Sequence, residues 1–441
     1  MHAAWPQMKH VFSLRKRQLE AWGPSLQAVH VGNDYMAQQH RTKNNPSPAK
    51  PVKQRIQESH VQNSEARDLQ QELPMLENGS ADEAVHAFCA ELSSDTAVSA
   101  GSVIIFDRII TNEGELYFNA TGIFGCVNND IYFFTWAGLR TNYEEYSDRC
   151  AQLLRLGSEE VKYGPVTNFI TSAGYSATAQ MSALVQCSQL SSVTVLAAEY
   201  SNPPCSFTIS HTSFSGFRVA SSNKTVGFLA ELSSDQTLLP GNRLFFDNVL
   251  VNYGEHYEAN HGYFRCPDNN LYSFTISLHH PLLEEEGGQW STVGLRLLYD
   301  GEVIMHGPVT YVATEQHDSG SSSITVILQC QLDKDIWVEA DQSADFLLTD
   351  FGARLTSFMG FRIFDDNTSG QPIAFTVVLS HNISSSGFMT FDKVITNVGD
   401  CYNATTGDFV CPDDALYLFI WGGVSVSANN QRHELYLYII R

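Results

Sequence analysis

Three aspartates recur in one setting. Asp107, Asp247 and Asp392 each follow a phenylalanine (Phe106, Phe246, Phe391) and precede a short apolar run. On a strand, neighbouring residues point to opposite faces, so each carboxylate is available to a metal ion or a substrate hydroxyl. The competing role is structural: holding a turn or a nearby backbone N–H. Repetition in every copy is what scaffolding produces, and the structural role is expected. Asn112/Gly114, Asn252/Gly254 and Asn397/Gly399 follow at fixed offsets and carry turn chemistry.

Other chemistry is sparse. Acidic clusters at Glu284, Glu285 and Glu286, at 267–270 with Asp268, and at 412–414 could bind calcium. They lack the ligand spacing of an EF-hand loop, and solvated turns are the preferred reading. Calcium is the one cofactor raised. His279 and His280 form an isolated pair placed in a loop. No G-x-S-x-G, H-E-x-x-H, P-loop or C-x-x-C motif occurs, so an enzyme is not expected. N-x-S/T acceptors occur at Asn78, Asn119, Asn223, Asn367, Asn382 and Asn403.

The elements that carry these residues repeat. "FDRIITNEGELYFNATGIFGC" at 106–126 returns as "FDNVLVNYGEHYEANHGYFRC" at 246–266 and "FDKVITNVGDCYNATTGDFVC" at 391–411. Upstream lie "FCAELSSD", "FLAELSSD" and "FTVVLSHN"; downstream come "NNDIYFFTW", "DNNLYSFTI" and "DDALYLFIW". The first two copies continue in parallel through a Gly-Ser or Asp-Gly hairpin, "GPVT", a second Cys, and a closing "SFSGF" or "SFMGF". Short strands between Gly/Asn/Asp/Ser turns predict an antiparallel sandwich in each copy. Tyr132, Phe134, Tyr272, Phe274, Tyr417 and Phe419 recur at period two and read as core or subunit contacts. The expected organisation is a disordered polar leader over 1–84, complete copies over 85–220 and 225–364, and a partial third copy over 372–441. Lacking its later strands, the third copy is expected to fold poorly alone.

This ordered pattern resembles the globular-head domain of complement C1q, which runs "AFxAxL", "IxFDxVLxNxGxxY", "TGxFxCPxxGxYxF", an "NGxxV" hairpin, "LxLxxGDxVWV" and "FSGF". The match covers copies one and two and the first half of copy three. Departures are Val127 where Pro267 and Pro412 keep the family's proline, and "LSS" at 190–192 and "DKD" at 333–335 in place of the late Gly-Asp. The resemblance implies an all-β fold of tandem jelly rolls like that of tumour necrosis factor, usually trimeric. Cys126 with Cys187 and Cys266 with Cys330 sit at matching places, which suggests disulfides; buried free thiols are the alternative. Cys411 is the third copy's first member. Cys89, Cys150, Cys205 and Cys401 have no counterparts in copy two, and a Cys150–Cys205 bridge is a weaker suggestion.

The chain has 441 residues and a formal net charge of −22. Such an acidic body argues against nucleic acid, and no apolar run is long enough to span a membrane. No signal peptide is visible in "MHAAWPQMKHVFSLRKRQLEAWG". Paired cysteines nevertheless point to a secreted protein. The expected function is extracellular recognition, innate-immune or lectin-like, binding microbial or cell-surface glycans or proteins. The expected assembly is a homotrimer or an intramolecular pseudo-trimer. The alternatives are an acidic matrix or calcium-associated scaffold, and a cytokine-like receptor ligand.

Overall fold

The computed structural model describes residues 85–139, 149–168, 178–198, 205–209, 212–221, 225–234, 236–280, 290–313, 320–341, 346–348, 355–363, 372–383 and 387–422. All of them belong to one of two compact units, Ile56–Arg441, the other being Met1–Arg55. The leader, Asn78, Asn223, Asn367, Glu284, Glu285 and Glu286 lie outside the described residues.

Copy one comprises β1 (Ala87–Glu91), β2 (Thr96–Val98), β3 (Arg108–Glu113), β4 (Tyr117–Phe118), β5 (Ile123–Gly125), β6 (Asp130–Leu139), β7 (Arg149–Leu156), β8 (Glu159–Asn168), β9 (Thr178–Gln186), β10 (Ser192–Ala197), β11 (Cys205–Phe207) and β12 (Ser213–Ser221). Copy two repeats them in order as β13 (Gly227–Glu231), β14 (Gln236–Leu238), β15 (Asn248–Tyr253), β16 (Tyr257–Glu258), β17 (Tyr263–Arg265), β18 (Leu271–His280), β19 (Trp290–Tyr299), β20 (Glu302–Ala313), β21 (Gly320–Gln329), β22 (Asp335–Ala340), β23 (Phe346–Leu348) and β24 (Ser357–Arg362). Copy three contributes β25 (Ala374–Val378), β26 (Lys393–Val398), β27 (Tyr402–Asn403) and β28 (Asp408–Phe409).

Each complete copy is a jelly roll of two five-stranded antiparallel sheets. The orders are β3-β1-β12-β6-β9 and β4-β5-β10-β7-β8 in copy one, and β15-β13-β24-β18-β21 and β16-β17-β22-β19-β20 in copy two. The hairpins the sequence marks are present, with chemistry matched to each turn. Asp300 and Gly301 both adopt positive φ, as a type I′ turn requires, whereas copy one places Gly157 at φ +55° ahead of Ser158.

Between the sheets lies an aromatic core. Phe88 stacks on Tyr117 at 4.7 Å and Phe228 on Tyr257 at 4.5 Å. Phe375 stacks on Tyr402 at 4.9 Å, so copy three builds the same nucleus. Beyond it, Val410, Leu416, Leu418, Ile420 and Trp421 are exposed among the described residues of copy three, and Phe388 is 89% exposed. Their matched positions in copies one and two include Ile131, Leu271, Trp136 and Ile276, all buried.

His279 is not in a loop. It lies near the end of β18, buried, with its ring bonded to Ser321 at 3.0 Å. Pairing of β18 with β21 extends the strand through His280↔Gly320. No helix among the described residues is long and apolar enough to cross a membrane.

Candidate functional site

The repeated aspartates are structural clips. Asp107 accepts the Ser93 backbone N–H at 2.8 Å with one carboxylate oxygen and the Ser93 hydroxyl with the other. Asp247 does the same for Ser233, and Asp392 for Ser380. The serine hydrogen bonds favour the ionised form and hold the Asp107 and Asp392 carboxyls below their usual range. The asparagines are equally committed. Asn112, Asn252 and Asn397 each bridge the backbone N–H and C=O of the tyrosine five residues on, at 2.9–3.3 Å. That tyrosine (Tyr117, Tyr257 or Tyr402) donates its hydroxyl to the carbonyl of the Phe that precedes the Asp. One closed network thus appears three times, and neither acid nor amide is left over for a ligand.

Asp268 is similarly engaged. It accepts Tyr272 Oη and Arg362 Nη1, each at 2.9 Å. Among the described residues no group of three or more His, Cys, Asp or Glu side chains could hold a metal ion. Asn119, Asn382 and Asn403 are all exposed.

Cys126 is joined to Cys187 and Cys266 to Cys330, tying the two sheets at matching places. A third disulfide, Cys150–Cys205, joins the start of β7 to β11 in copy one. Cys89, Cys401 and Cys411 are free. The period-two aromatics Tyr132, Phe134, Tyr272 and Phe274 are buried core.

The copies dock on one another. Leu229, Met359 and Phe361 of copy two belong to the same buried cluster as the core of copy one, with Val251, Tyr253 and Ile363 packed against it. Phe361 meets Phe133 at 5.4 Å and Phe217 at 6.2 Å. The Tyr253 hydroxyl donates to Gln186 Oε1 at 2.8 Å. Leu184 of β9 comes so close to Gly227 that a Cβ there would stand 3.0 Å from its Cδ2. Copy three meets copy two in the same way. Ile327, which matches Leu184, donates its N–H to Thr376 Oγ1 at 2.8 Å and accepts from Thr396 Oγ1 at 2.6 Å. Thr376 and Thr396 match Leu229 and Val251. A leading face (β1/β3, β13/β15, β25/β26) therefore sits twice on a receiving face built around β9 or β21.

The C1q domain profile matches residues 87–219, 227–363 and 374–439, most of the chain. The chain belongs to the C1q domain family. Among solved structures, the globular domain of zebrafish complement 1qA protein is similar at 14% identity and a TM-score of 0.25, over 31% of this chain and 98% of that one. The Eiger TNF of S. frugiperda is similar at 7% identity and a TM-score of 0.26, over 31% and 94%. No individual curated protein matches. C1q domains are typically extracellular and non-catalytic, bind ligands and often form trimers.

The C1q copies share a framework but not an outer surface. Along β22, Asp335, Trp337 and Glu339 face outward between buried Ile336, Val338 and Ala340. Tyr263 stands opposite Trp337 and Arg265 opposite Asp335. The Arg243 guanidinium lies 4.3 Å from the Trp337 ring centroid, and Arg265 lies 5.0 Å from that of Tyr263. The matching strand of copy one, β10, has Ser192, Thr194 and Leu196 at these places and is buried throughout. Motif reading missed this row, and the signal lay in residues that differ between matched positions.

Proposed function

We propose that the chain is an extracellular, non-catalytic recognition protein that binds surface glycans or proteins, microbial ones included, through C1q copies clustered in one polypeptide. The observation that carries this reading is the repeated docking of a leading face on a receiving face. Linked sites held in a cluster bind a repetitive surface with greater avidity than any one alone, because the linkage sets a high effective concentration for the second contact. Loops at the ends of the jelly rolls, which differ in sequence between the copies, are the surfaces such contacts would use.

The cluster is read as a pseudo-trimer within one chain. A relation that joins two unlike faces is heterologous, and its rotation decides between a ring and a filament. Phe217 and Phe361 are equivalent residues whose rings lie 6.2 Å apart, so for a third of a turn the axis passes about 3.6 Å from each. Equivalent side chains meeting beside an axis favour a closed ring.

Glycan arrays and whole bacteria, probed with the full chain with and without EDTA, test the recognition reading. Binding to defined saccharides or to cells is expected. Bulk, low-affinity calcium uptake without such binding would overturn it in favour of an acidic matrix scaffold. Solution mass tests the ring separately: one chain per particle is expected, and three chains would mean ordinary trimerisation.

A further inference from the structure

Among the described residues, an ion pair crosses the interface between copies one and two. Lys162 Nζ on β8 lies 3.6 Å from Glu231 Oε2 on β13, and the two side chains are 0% and 5% exposed. A charge buried to that degree is costly unless its counter-charge is present. The pair has no equivalent in the next interface. On the leading faces the position of Glu231 holds Val378 in copy three. On the receiving faces the position of Lys162 holds Met305 in copy two. By matched positions, the cation and carboxylate of the first interface correspond to methionine and valine, both half-buried, in copies two and three. A second difference runs in parallel: Tyr253 donates to Gln186 across the first interface, whereas copy three has Val398 in place of Tyr253, and Gln329, which matches Gln186, bonds to Asn269 within its own copy.

We propose that the Lys162–Glu231 pair is an address that fixes the order of the copies. The leading-face strands pair alike in all three copies and the receiving-face strands alike in copies one and two, so backbone shape alone would let any leading face enter either receiving face. With copy three docked on copy one, Val378 would face a buried Lys162. With copy two docked on a face like its own, Glu231 would be buried against Met305. Each wrong pairing parts one buried charge from this counter-charge, and the observed order keeps the two together. The proposal concerns assembly, and it stands or falls independently of which ligand the chain binds.

The test uses the full chain and amide hydrogen exchange read peptide by peptide. Lys162→Met and Glu231→Val should each raise exchange in β9 and β13 by about tenfold or more, and the double variant should return it to within about threefold of the parent. Transplanting the address tests the second interface without touching the first. Val378→Glu alone should raise exchange in β21 and β25 by about tenfold, and adding Met305→Lys should restore it. Purely additive effects in the first cycle, or failure of Met305→Lys to rescue Val378→Glu, would overturn the proposal. Should either Lys162 or Glu231 variant fail to fold, the transplanted pair still decides.

Discussion

Gly216→Ala should destabilise copy one although it adds a single methyl group. Gly216 lies on β12 between Phe88 on one flanking strand and Phe134 on the other. A Cβ there would stand 2.4 and 2.7 Å from Phe134 Cδ1 and Cε1, and 2.9 Å from Phe88 Cε1. Ordinary contact needs roughly 3.5–4 Å, so the Phe134 ring must retreat by about 1 Å. It has nowhere to go: Phe134 is 0% exposed and packs against Phe124 at 5.4 Å and Phe214 at 5.8 Å. Overpacking of this kind costs about 1–3 kcal/mol, and an obstacle that is a wedged ring belongs at the upper end. The stiffer unfolded chain returns about 0.4–1 kcal/mol, leaving a net loss of about 2 kcal/mol. For a domain of this size that lowers the melting temperature by roughly 5–10 °C. Calorimetry on the full chain reads the shift, and near-ultraviolet circular dichroism reports the aromatic core. Gly360→Ala should behave alike in copy two, where the same atoms of Phe274 and Phe228 lie at 2.5, 2.6 and 2.9 Å. Phe134→Leu placed in the Gly216→Ala background should recover part of the loss. A melting temperature within 1 °C of the parent, or no recovery with the smaller side chain, would refute the steric argument.

Asp107 and Asp392 have carboxyls lowered by serine hydrogen bonds, so the stability they add is present above the unfolded carboxyl range and lost as pH falls through the folded values, below pH ~4. Asp107→Asn should therefore melt lower than the parent at pH 7, with the gap closing in acid; parallel curves from pH 7 to 2.5 would contradict this. Removing the third disulfide with Cys150→Ala/Cys205→Ala opens a loop of sequence separation 55 and should cost about 4 kcal/mol on the chain-entropy account, measured by denaturant unfolding under oxidising conditions. Phe361→Ala should cost about 3–5 kcal/mol and accelerate amide exchange in β9 of the neighbouring copy, since the ring is 3% exposed and touches Phe133 and Phe217 there. Exchange confined to copy two would show that the ring does not support the docking.

Much of each sandwich was legible because its signals are local and repeated. Asn112, Gly114 and Tyr117 lie within one hairpin, so their spacing survives in all three copies, and the role of Asp107 followed from that repetition. Cys126 and Cys187 were readable as partners because copy two offered a second instance at matching places. Cys150 and Cys205 had no such check, and the contact between β7 and β11 depends on how the jelly roll folds back. His279 read as a loop residue because its strand partner, Ser321, is 42 positions away. Lys162 and Glu231 were invisible for a deeper reason. They lie in different copies, and a face that docks on another domain follows the same alternation as one facing its own core.

The outward row on β22 has a consequence for how this protein can change. The clips of Asp, Asn and Tyr and the stacked Phe–Tyr rings lie away from β10 and β22, so they fix the fold without using the outer side chains of those strands. Copy one keeps Ser192, Thr194 and Leu196 buried where copy two has Asp335, Trp337 and Glu339 facing outward, so one framework accepts unlike residues at matched positions of that sheet. In an assembly of identical chains, one mutation alters every subunit at once. Here each copy can diverge alone, so a single polypeptide is free to become heterovalent, carrying unlike contacts at fixed separations.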